Sequence, residues 1–248
     1  MSPRTVLALH GFGGSGASWD DVAAEAGARL RITAPDLRGH GAAAARRPVD
    51  LAGVLADLGP LLRELASSSG GPVTLAGYSQ GGRIALHLAL AEPALVDRLV
   101  LVSSTSGIED EAERERRRAS DEEQAGRLER EGLEAFADRW AALPLWDGDP
   151  PAARAAQRDA LAAGDAAGLA AALRGLGAGT VPAVGARLPA LAVPLTVVVG
   201  ARDARYRAIG AGLLRLAAEP AGQVVVADAG HGLLREAPSA VAAALCAP

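Results

Sequence analysis

A serine, an aspartate and a histidine occur in the order and surroundings that nucleophilic catalysis requires. Ser79 lies within a G-x-S-x-G sequence at residues 77–81, between an apolar run and a helical pattern. Asp203 and His231 each follow a later apolar run, and the chain between them has room for one helix and one strand. A serine hydroxyl needs a base to accept its proton and an acid to orient that base. These three residues therefore predict a catalytic triad.

The glycines around Ser79 predict a sharp strand-to-helix turn, in which only small residues at 77 and 81 let the two arms approach. This turn places Ser79 at a helix amino terminus, where the helix dipole favours developing negative charge. We expect the backbone amides of Phe12 and Gln80 to form an oxyanion hole. The glycines at 11, 13 and 16 also match a dinucleotide-binding spacing, but the triad explains that loop with fewer assumptions, and we expect no cofactor.

Other polar residues near these motifs have simpler interpretations. Asp228 is a rival acid, but its position three residues before the histidine favours a role in shaping the loop. His10 and His40 are expected to structure their loops, and His87 to pack within a helix. The four histidines are scattered and Cys246 is the single cysteine, so we expect neither a metal site nor a disulfide.

Six short apolar runs are the candidate strands that position these residues. They lack the alternation of a half-exposed strand, which indicates burial on both faces in a parallel sheet covered by helices. Helical patterns at 50–65 and 81–91 alternate with them, and the sequence therefore predicts an α/β, mostly parallel doubly wound sheet of about six strands. The runs are residues 5–9, 30–34, 72–76, 98–102, 195–199 and 223–227.

The alternation stops between residues 107 and 188, where no strand candidate occurs. A charge-rich stretch at 109–131 offers i,i+4 pairs such as Glu113–Arg117 and Arg118–Glu122, which favour a helix. We expect this segment to be a helical cap, inserted after the strand that ends near Val102. It would cover the carboxyl edge of the sheet, where ligands bind in such folds. The predicted core domain is residues 1–106 and 189–248.

The composition excludes several classes of protein. The 25 basic residues are all arginine and are outnumbered by 29 acidic ones, so the chain has no basic field for nucleic acid. No apolar run is long enough for membrane insertion, and the amino terminus does not look like a signal peptide. We expect a cytoplasmic protein, monomeric or weakly homo-oligomeric. Six of its seven aromatic residues fall near the proposed site or in the cap; Trp19 is the exception.

Together these motifs resemble the α/β-hydrolase superfamily over nearly the whole chain. Finer features are similar to one branch, the 2-succinyl-6-hydroxy-2,4-cyclohexadiene-1-carboxylate synthases of menaquinone biosynthesis. Within that branch Gln80 stands where a Met or Leu is usual, which changes the pocket wall but keeps the backbone amide. The motifs are residues 77–79 with 81–83, 106–108 with 113–121, 136–140 with 143–146, and 200–203 with 206–207.

The resemblance implies a lyase that eliminates pyruvate from 2-succinyl-5-enolpyruvyl-6-hydroxy-3-cyclohexene-1-carboxylate. Ser79, activated by the triad, would act as a general base without an acyl-enzyme. The resemblance also implies that Tyr78, Arg83, Arg117 and Trp140 bind this polycarboxylate.

Two alternatives stay open. One is a serine hydrolase on the same triad, either a carboxylesterase or a carbon–carbon bond hydrolase. The other is a binding protein without activity, against which the intact triad argues.

Overall fold

The computed structural model describes residues 3–191, 193–218 and 220–247. Within them, six strands form one sheet, and every pairing is parallel. Their spatial order is β2-β1-β3-β4-β5-β6, so the predicted α/β fold is confirmed. The strands are β1 (Arg4–Leu9), β2 (Leu30–Thr33), β3 (Val73–Tyr78), β4 (Val96–Val102), β5 (Leu195–Gly200) and β6 (Ala221–Val226).

Four of the apolar runs form the inner strands β1, β3, β4 and β5, where both faces of the sheet are covered. The other two form the edge strands, and no residue of β6 is buried, contrary to the burial that its apolar run predicts. Along β1, Leu7 and Leu9 pack into the core on one face, whereas Val6 and Ala8 pack into the core on the other. All six residues of β3 are buried. The strands that carry the proposed nucleophile and oxyanion loop are thus held rigidly in the middle of the molecule.

Ten α-helices occur in the described residues, and several begin at an aspartate that accepts a backbone N–H. Asp50 accepts from Gly53, Asp110 from Glu113 and Asp165 from Gly168. The helices are α1 (Asp20–Ala26), α2 (Leu51–Ser69), α3 (Gln80–Ala91), α4 (Glu111–Glu131), α5 (Leu133–Ala141), α6 (Pro151–Ala162), α7 (Ala166–Leu176), α8 (Ala204–Leu216), α9 (Leu233–Glu236) and α10 (Pro238–Cys246).

Residues 107–188, all of them described, contain no strand and carry α4 to α7. Their apolar side chains form a cluster of their own around Leu128, Phe136 and Leu169, and Phe12 of the core packs against that cluster. We call residues 107–188 the cap. The outer limits of the predicted core domain, residues 1 and 248, lie outside the described residues.

The ion pairs expected along α4 are wrong, although the helix is present. Arg117 pairs with Asp121 at 2.8 Å, and Arg118 turns back to Glu111 at 2.8 Å. Glu122 instead binds Arg174 of α7 at 2.9 Å, because α4 packs against that helix. No helix in the described residues is both long and apolar enough to cross a membrane.

Candidate active site

Ser79 lies at the tight turn between β3 and α3. Its φ of 51° is in the left-handed region, which a residue with a side chain rarely adopts. The turn closes only because its neighbours are glycine: a Cβ on Gly81 would lie 2.3 Å from the Leu9 carbonyl oxygen, and one on Gly77 2.5 Å from the Gly81 oxygen. This geometry directs the Ser79 hydroxyl away from the sheet into the space under the cap.

The structure brings Asp203 and His231 to Ser79. The His231 Nδ1 lies 2.8 Å from Asp203 Oδ2, and the His231 Nε2 lies 3.3 Å from Ser79 Oγ. His231 is only 1% exposed. With Nδ1–H donating to the carboxylate, Nε2 is left as the acceptor for the serine hydroxyl proton.

The acid is itself fixed in place. Asp203 precedes α8, and its Oδ1 accepts a hydrogen bond from the backbone N–H of Tyr206 at 3.0 Å. The Tyr206 ring packs against the imidazole of His231 at a centroid distance of 4.5 Å. Asp228, the rival acid, has an 89% exposed side chain and pairs with Arg202 at 3.2 Å, so it does not contact His231.

A cavity of about 630 Å³ opens in front of this group, and both the core and the cap line it. Ser79, His231 and Asp203 form one wall. Trp140 and Arg117, which belong to the cap, also line the cavity. The predicted triad and two of the four predicted substrate-binding residues therefore line one cavity.

Arg83, the third such residue, also lines the cavity, and it has an unusual environment. It is 7% exposed, and its Nε has no hydrogen-bond partner among the described residues. The hydrogen bond that it makes is long, 3.3 Å from Nη2 to the Leu176 carbonyl oxygen. Burial lowers the pKa of Arg83 to about 10. A buried guanidinium whose charge is offset by so few hydrogen bonds is well suited to bind an anion.

Arg117 reaches the cavity from α4 and is tied to Asp121 at 2.8 Å. Burial raises the pKa of Asp121, and Arg117 partly opposes that shift. The second oxygen of Asp121, Oδ2, has no partner within the described chain. Arg117 is thus held at the cavity by one carboxylate oxygen.

Tyr78 is the fourth predicted substrate-binding residue, and it does not line the cavity. Its side chain is buried behind the turn, where its ring lies 5.7 Å from the His231 ring and touches the position of Gly11. Burial raises the pKa of the Tyr78 phenol strongly. Tyr78 thus packs against the His231 ring, outside the set of residues that line the cavity, and its substrate contact stays a prediction.

Phe12 and Gln80 both line the cavity beside Ser79. Neither backbone N–H donates to another backbone group in the described loops and turns. The Phe12 ring packs on Trp140 of the cap at 4.8 Å. The Gln80 side chain is buried, and its Nε2 has no partner within the described residues. The two amides are thus available at the cavity, as the oxyanion-hole hypothesis requires.

The remaining histidines lie away from this cavity wall. His10 Nε2 accepts the Leu37 backbone N–H at 3.0 Å, and its Nδ1 lies 2.8 Å from the Gly11 oxygen. His40 is buried against His10, and His87 Nε2 lies 3.0 Å from the Pro182 oxygen. In the described residues, no group of three or more His, Cys, Asp or Glu side chains is arranged to hold a metal ion.

Sequence reasoning missed two acidic residues that surround the histidine loop. Asp149, from the cap, accepts the His231 backbone N–H at 2.7 Å. Glu236, from α9, accepts the Gly230 backbone N–H at 2.8 Å. Asp149 lies in a stretch rich in Pro, Gly and Ala that shows no periodic pattern, and no sequence signal connects it with His231.

Comparison with known proteins agrees with this geometry. A model of the alpha/beta hydrolase family matches residues 6–244. The chain belongs to the α/β-hydrolase family.

Among curated relatives, 2-succinyl-6-hydroxy-2,4-cyclohexadiene-1-carboxylate synthase of Enterobacter sp. (strain 638) is 34% identical over 96% of this chain and 88% of that protein. The enzyme of the same name from Klebsiella pneumoniae (strain ATCC 700721 / MGH 78578) is 35% identical over 96% and 90%. The structure of MenH from S. aureus has a TM-score of 0.91 at 24% identity, covering 99% of this chain and 92% of that one. The family predicted from the sequence is confirmed. The chain is an enzyme of the MenH type, MenH being the short name of the 2-succinyl-6-hydroxy-2,4-cyclohexadiene-1-carboxylate synthases.

Proposed function

We propose that this protein eliminates pyruvate from 2-succinyl-5-enolpyruvyl-6-hydroxy-3-cyclohexene-1-carboxylate and so forms 2-succinyl-6-hydroxy-2,4-cyclohexadiene-1-carboxylate, a step of menaquinone biosynthesis. The names of its relatives support this reaction. The observation that carries the proposal is Arg83, a buried cation without an ion-pair partner among the described residues, in the same cavity as Ser79. A substrate with several carboxylates supplies the missing anion.

In the proposed reaction, Ser79 acts as the base. His231 accepts the proton of the Ser79 hydroxyl while Oγ removes the ring proton next to the succinyl ketone. The C–H electron pair moves through the ring, the existing double bond shifts, and the bond from the ring to the enolpyruvyl oxygen breaks. The enolpyruvate takes up the proton that His231 holds, which restores the neutral histidine, and leaves as pyruvate. No covalent bond to the protein forms.

Negative charge develops on the succinyl ketone oxygen during this step. The amides of Phe12 and Gln80 are proposed to bind that oxygen, and one well-placed donor of this kind contributes about 3 kcal/mol to transition-state stabilisation. Asp203 keeps the histidine in the tautomer that accepts the serine proton and stabilises the resulting imidazolium. The Gln80 side chain offers a further donor for a substrate oxygen.

A cytoplasmic location stays a prediction from the sequence.

The test is pyruvate release by the purified protein, followed with a coupled lactate dehydrogenase reaction. We expect turnover of the enolpyruvyl substrate, and we expect Ser79→Ala to lose at least a thousandfold in kcat. Ser239→Ala, which changes an exposed serine at the start of α10, is the matched control and should retain full activity. Pyruvate release that persists in Ser79→Ala would exclude the serine as the base.

The same Ser79–His231 geometry also suits nucleophilic attack on an ester, which keeps a hydrolase as the second candidate. The two reactions differ in their product and in their dependence on Arg83. Rapid hydrolysis of a neutral p-nitrophenyl ester, with no pyruvate formed from the polycarboxylate, would refute the lyase and favour the hydrolase.

A further inference from the structure

Asp149 belongs to the cap, yet its carboxylate binds the backbone of the loop that carries His231. Its Oδ1 accepts the His231 N–H at 2.7 Å, and its Oδ2 accepts the Gly232 N–H at 3.1 Å. The residue is 7% exposed. The carboxylate therefore fixes two consecutive peptide groups at the histidine, and a segment more than eighty positions earlier in the chain provides it.

Glu236 approaches the same loop from the other side. Its Oε2 accepts the Gly230 N–H at 2.8 Å, while its Oε1 is buried without a partner of its own. A Cβ added to Gly232 would lie 2.5 Å from Asp149 Oδ2 and 3.3 Å from Glu236 Oε1, so both oxygens press against this glycine. The two carboxyl groups lie within hydrogen-bonding reach of each other.

Two acceptor oxygens this close need a proton between them. Both Asp149 oxygens already accept backbone N–H groups, whereas Glu236 uses one oxygen in this way. The proton consequently fits best on Glu236 Oε1, from which it can be donated to Asp149 Oδ2. In this arrangement all four oxygens of the two carboxyl groups have a hydrogen-bond partner.

We propose that Asp149 is a positioning residue for His231, and that the proton it shares with Glu236 locks the cap segment around Asp149 onto the histidine loop. The proposal rests on the catalytic role of His231 in the proposed function, and it does not depend on the identity of the substrate. In this view the base is in its working position only while this part of the cap is docked.

The electrostatics of the pair agree with the geometry. Burial and the neighbouring Glu236 carboxylate raise the pKa of Asp149 to about 6, although the hydrogen bond and charge of His231 oppose this shift. The buried Tyr78 phenol is close enough to both carboxylates, and to the Arg235 guanidinium, for their charges to act on it. Loss of the shared proton at higher pH leaves two buried negative charges side by side.

Two substitutions separate the roles of the pair. In Asp149→Asn, an amide NH₂ replaces one acceptor, so one of the two backbone N–H groups loses its partner. In Glu236→Gln, the side-chain oxygen can still accept from Gly230, and the NH₂ group can donate to Asp149 permanently. The first variant should displace His231, whereas the second imitates the protonated pair.

The readout is the rate at which a fluorophosphonate labels Ser79, because this reaction needs His231 as base but no particular substrate. We expect Asp149→Asn to be labelled at least tenfold more slowly than wild type. Asp165→Asn is the matched control, since Asp165 also caps a backbone N–H in the cap but away from the cavity. It should be labelled at the wild-type rate.

The pH profile tests the shared proton even if Asp149→Asn folds poorly. The labelling rate of Glu236→Gln, divided by that of wild type, should rise at least threefold between pH 5 and pH 8. A ratio that is constant with pH would overturn the shared proton, and wild-type labelling of Asp149→Asn would overturn the positioning role. No labelling of the wild type would instead refute the triad, and with it the proposed function.

Discussion

Replacing Arg83 by methionine should raise stability and lower activity at the same time. Arg83 is 7% exposed, lacks an ion-pair partner in the described chain and has an unpartnered Nε. Methionine has a similar unbranched length, fills much of the same space and carries no charge. The substitution therefore removes an unfavourable buried charge from the free protein and an anion-binding group from the complex.

Both magnitudes follow from the structure. Burial lowers the pKa of Arg83 to about 10, which corresponds to a cost of about 3 kcal/mol for the charged form in the folded state. This cost is fully present at pH 7, where the side chain is charged in both the folded and the unfolded protein. A hydrogen bond between charged groups is worth about 1.5–3 kcal/mol, so kcat/KM for the polycarboxylate should fall about 10- to 150-fold.

The assay pairs urea unfolding with pyruvate release on the same preparations. Arg83→Met should gain up to about 3 kcal/mol in unfolding free energy while losing kcat/KM. Arg63→Met is the control, because that side chain is largely exposed and pairs with Glu92 at the surface; it should change neither quantity appreciably. If Arg83→Met loses stability and activity together, Arg83 is a structural residue and the inferred anion site is wrong.

Four further outcomes are expected. Asp203→Asn should lower kcat about 10³- to 10⁴-fold with little change in unfolding temperature, because the histidine loses its tautomer control; a loss under tenfold would contradict the assigned acid. Gly81→Ala should cost at least about 1–3 kcal/mol in urea unfolding, since its Cβ would meet the Leu9 and His10 carbonyl oxygens at 2.3 and 2.4 Å; wild-type stability would show that the turn can relax. Arg117→Ala should reduce kcat/KM at least tenfold, about 1.4 kcal/mol, and unchanged kinetics would remove it from the substrate site. Glu236→Gln should gain stability relative to wild type, on the order of 1 kcal/mol, as pH rises from about 4 to 6. The folded wild type keeps the proton shared by Asp149 and Glu236 up to about pH 6, whereas the unfolded chain releases it near pH 4, so wild type loses stability across that interval. Parallel stability curves for the two proteins would count against the pair.

The fold was accessible from the sequence because its four inner strands are largely buried on both faces; the edge strand β6, which has no buried residue, departs from that expectation. Short, continuous apolar runs such as those of β3 and β5 are typical of buried strands in a parallel sheet. All six expected runs do form strands that pair in parallel. Their ends shifted by a few residues. For example, β6 begins at Ala221, before its most apolar part.

The sequence predicted those site residues that directly follow a strand. Ser79, Asp203 and His231 each follow a strand, and parallel strands deliver their carboxyl ends to one edge. Contacts made by the cap were not accessible in this way. Asp149 meets His231 only because the cap folds back over the sheet, and the ion pairs of α4 were misassigned because α7 supplies a competing arginine.

The scarcity of aromatic side chains gives the protein a built-in optical probe. Of its three tryptophans, Trp140 lines the cavity and Trp146 packs against the His231 ring at 5.3 Å. Trp19 is buried in the core on one face of the sheet. In a Trp19→Phe background, all tryptophan emission would come from the cavity beside Ser79 and its immediate surroundings. Ligand entry, cap displacement and proton loss at the histidine loop could then each be followed by fluorescence without attaching a dye.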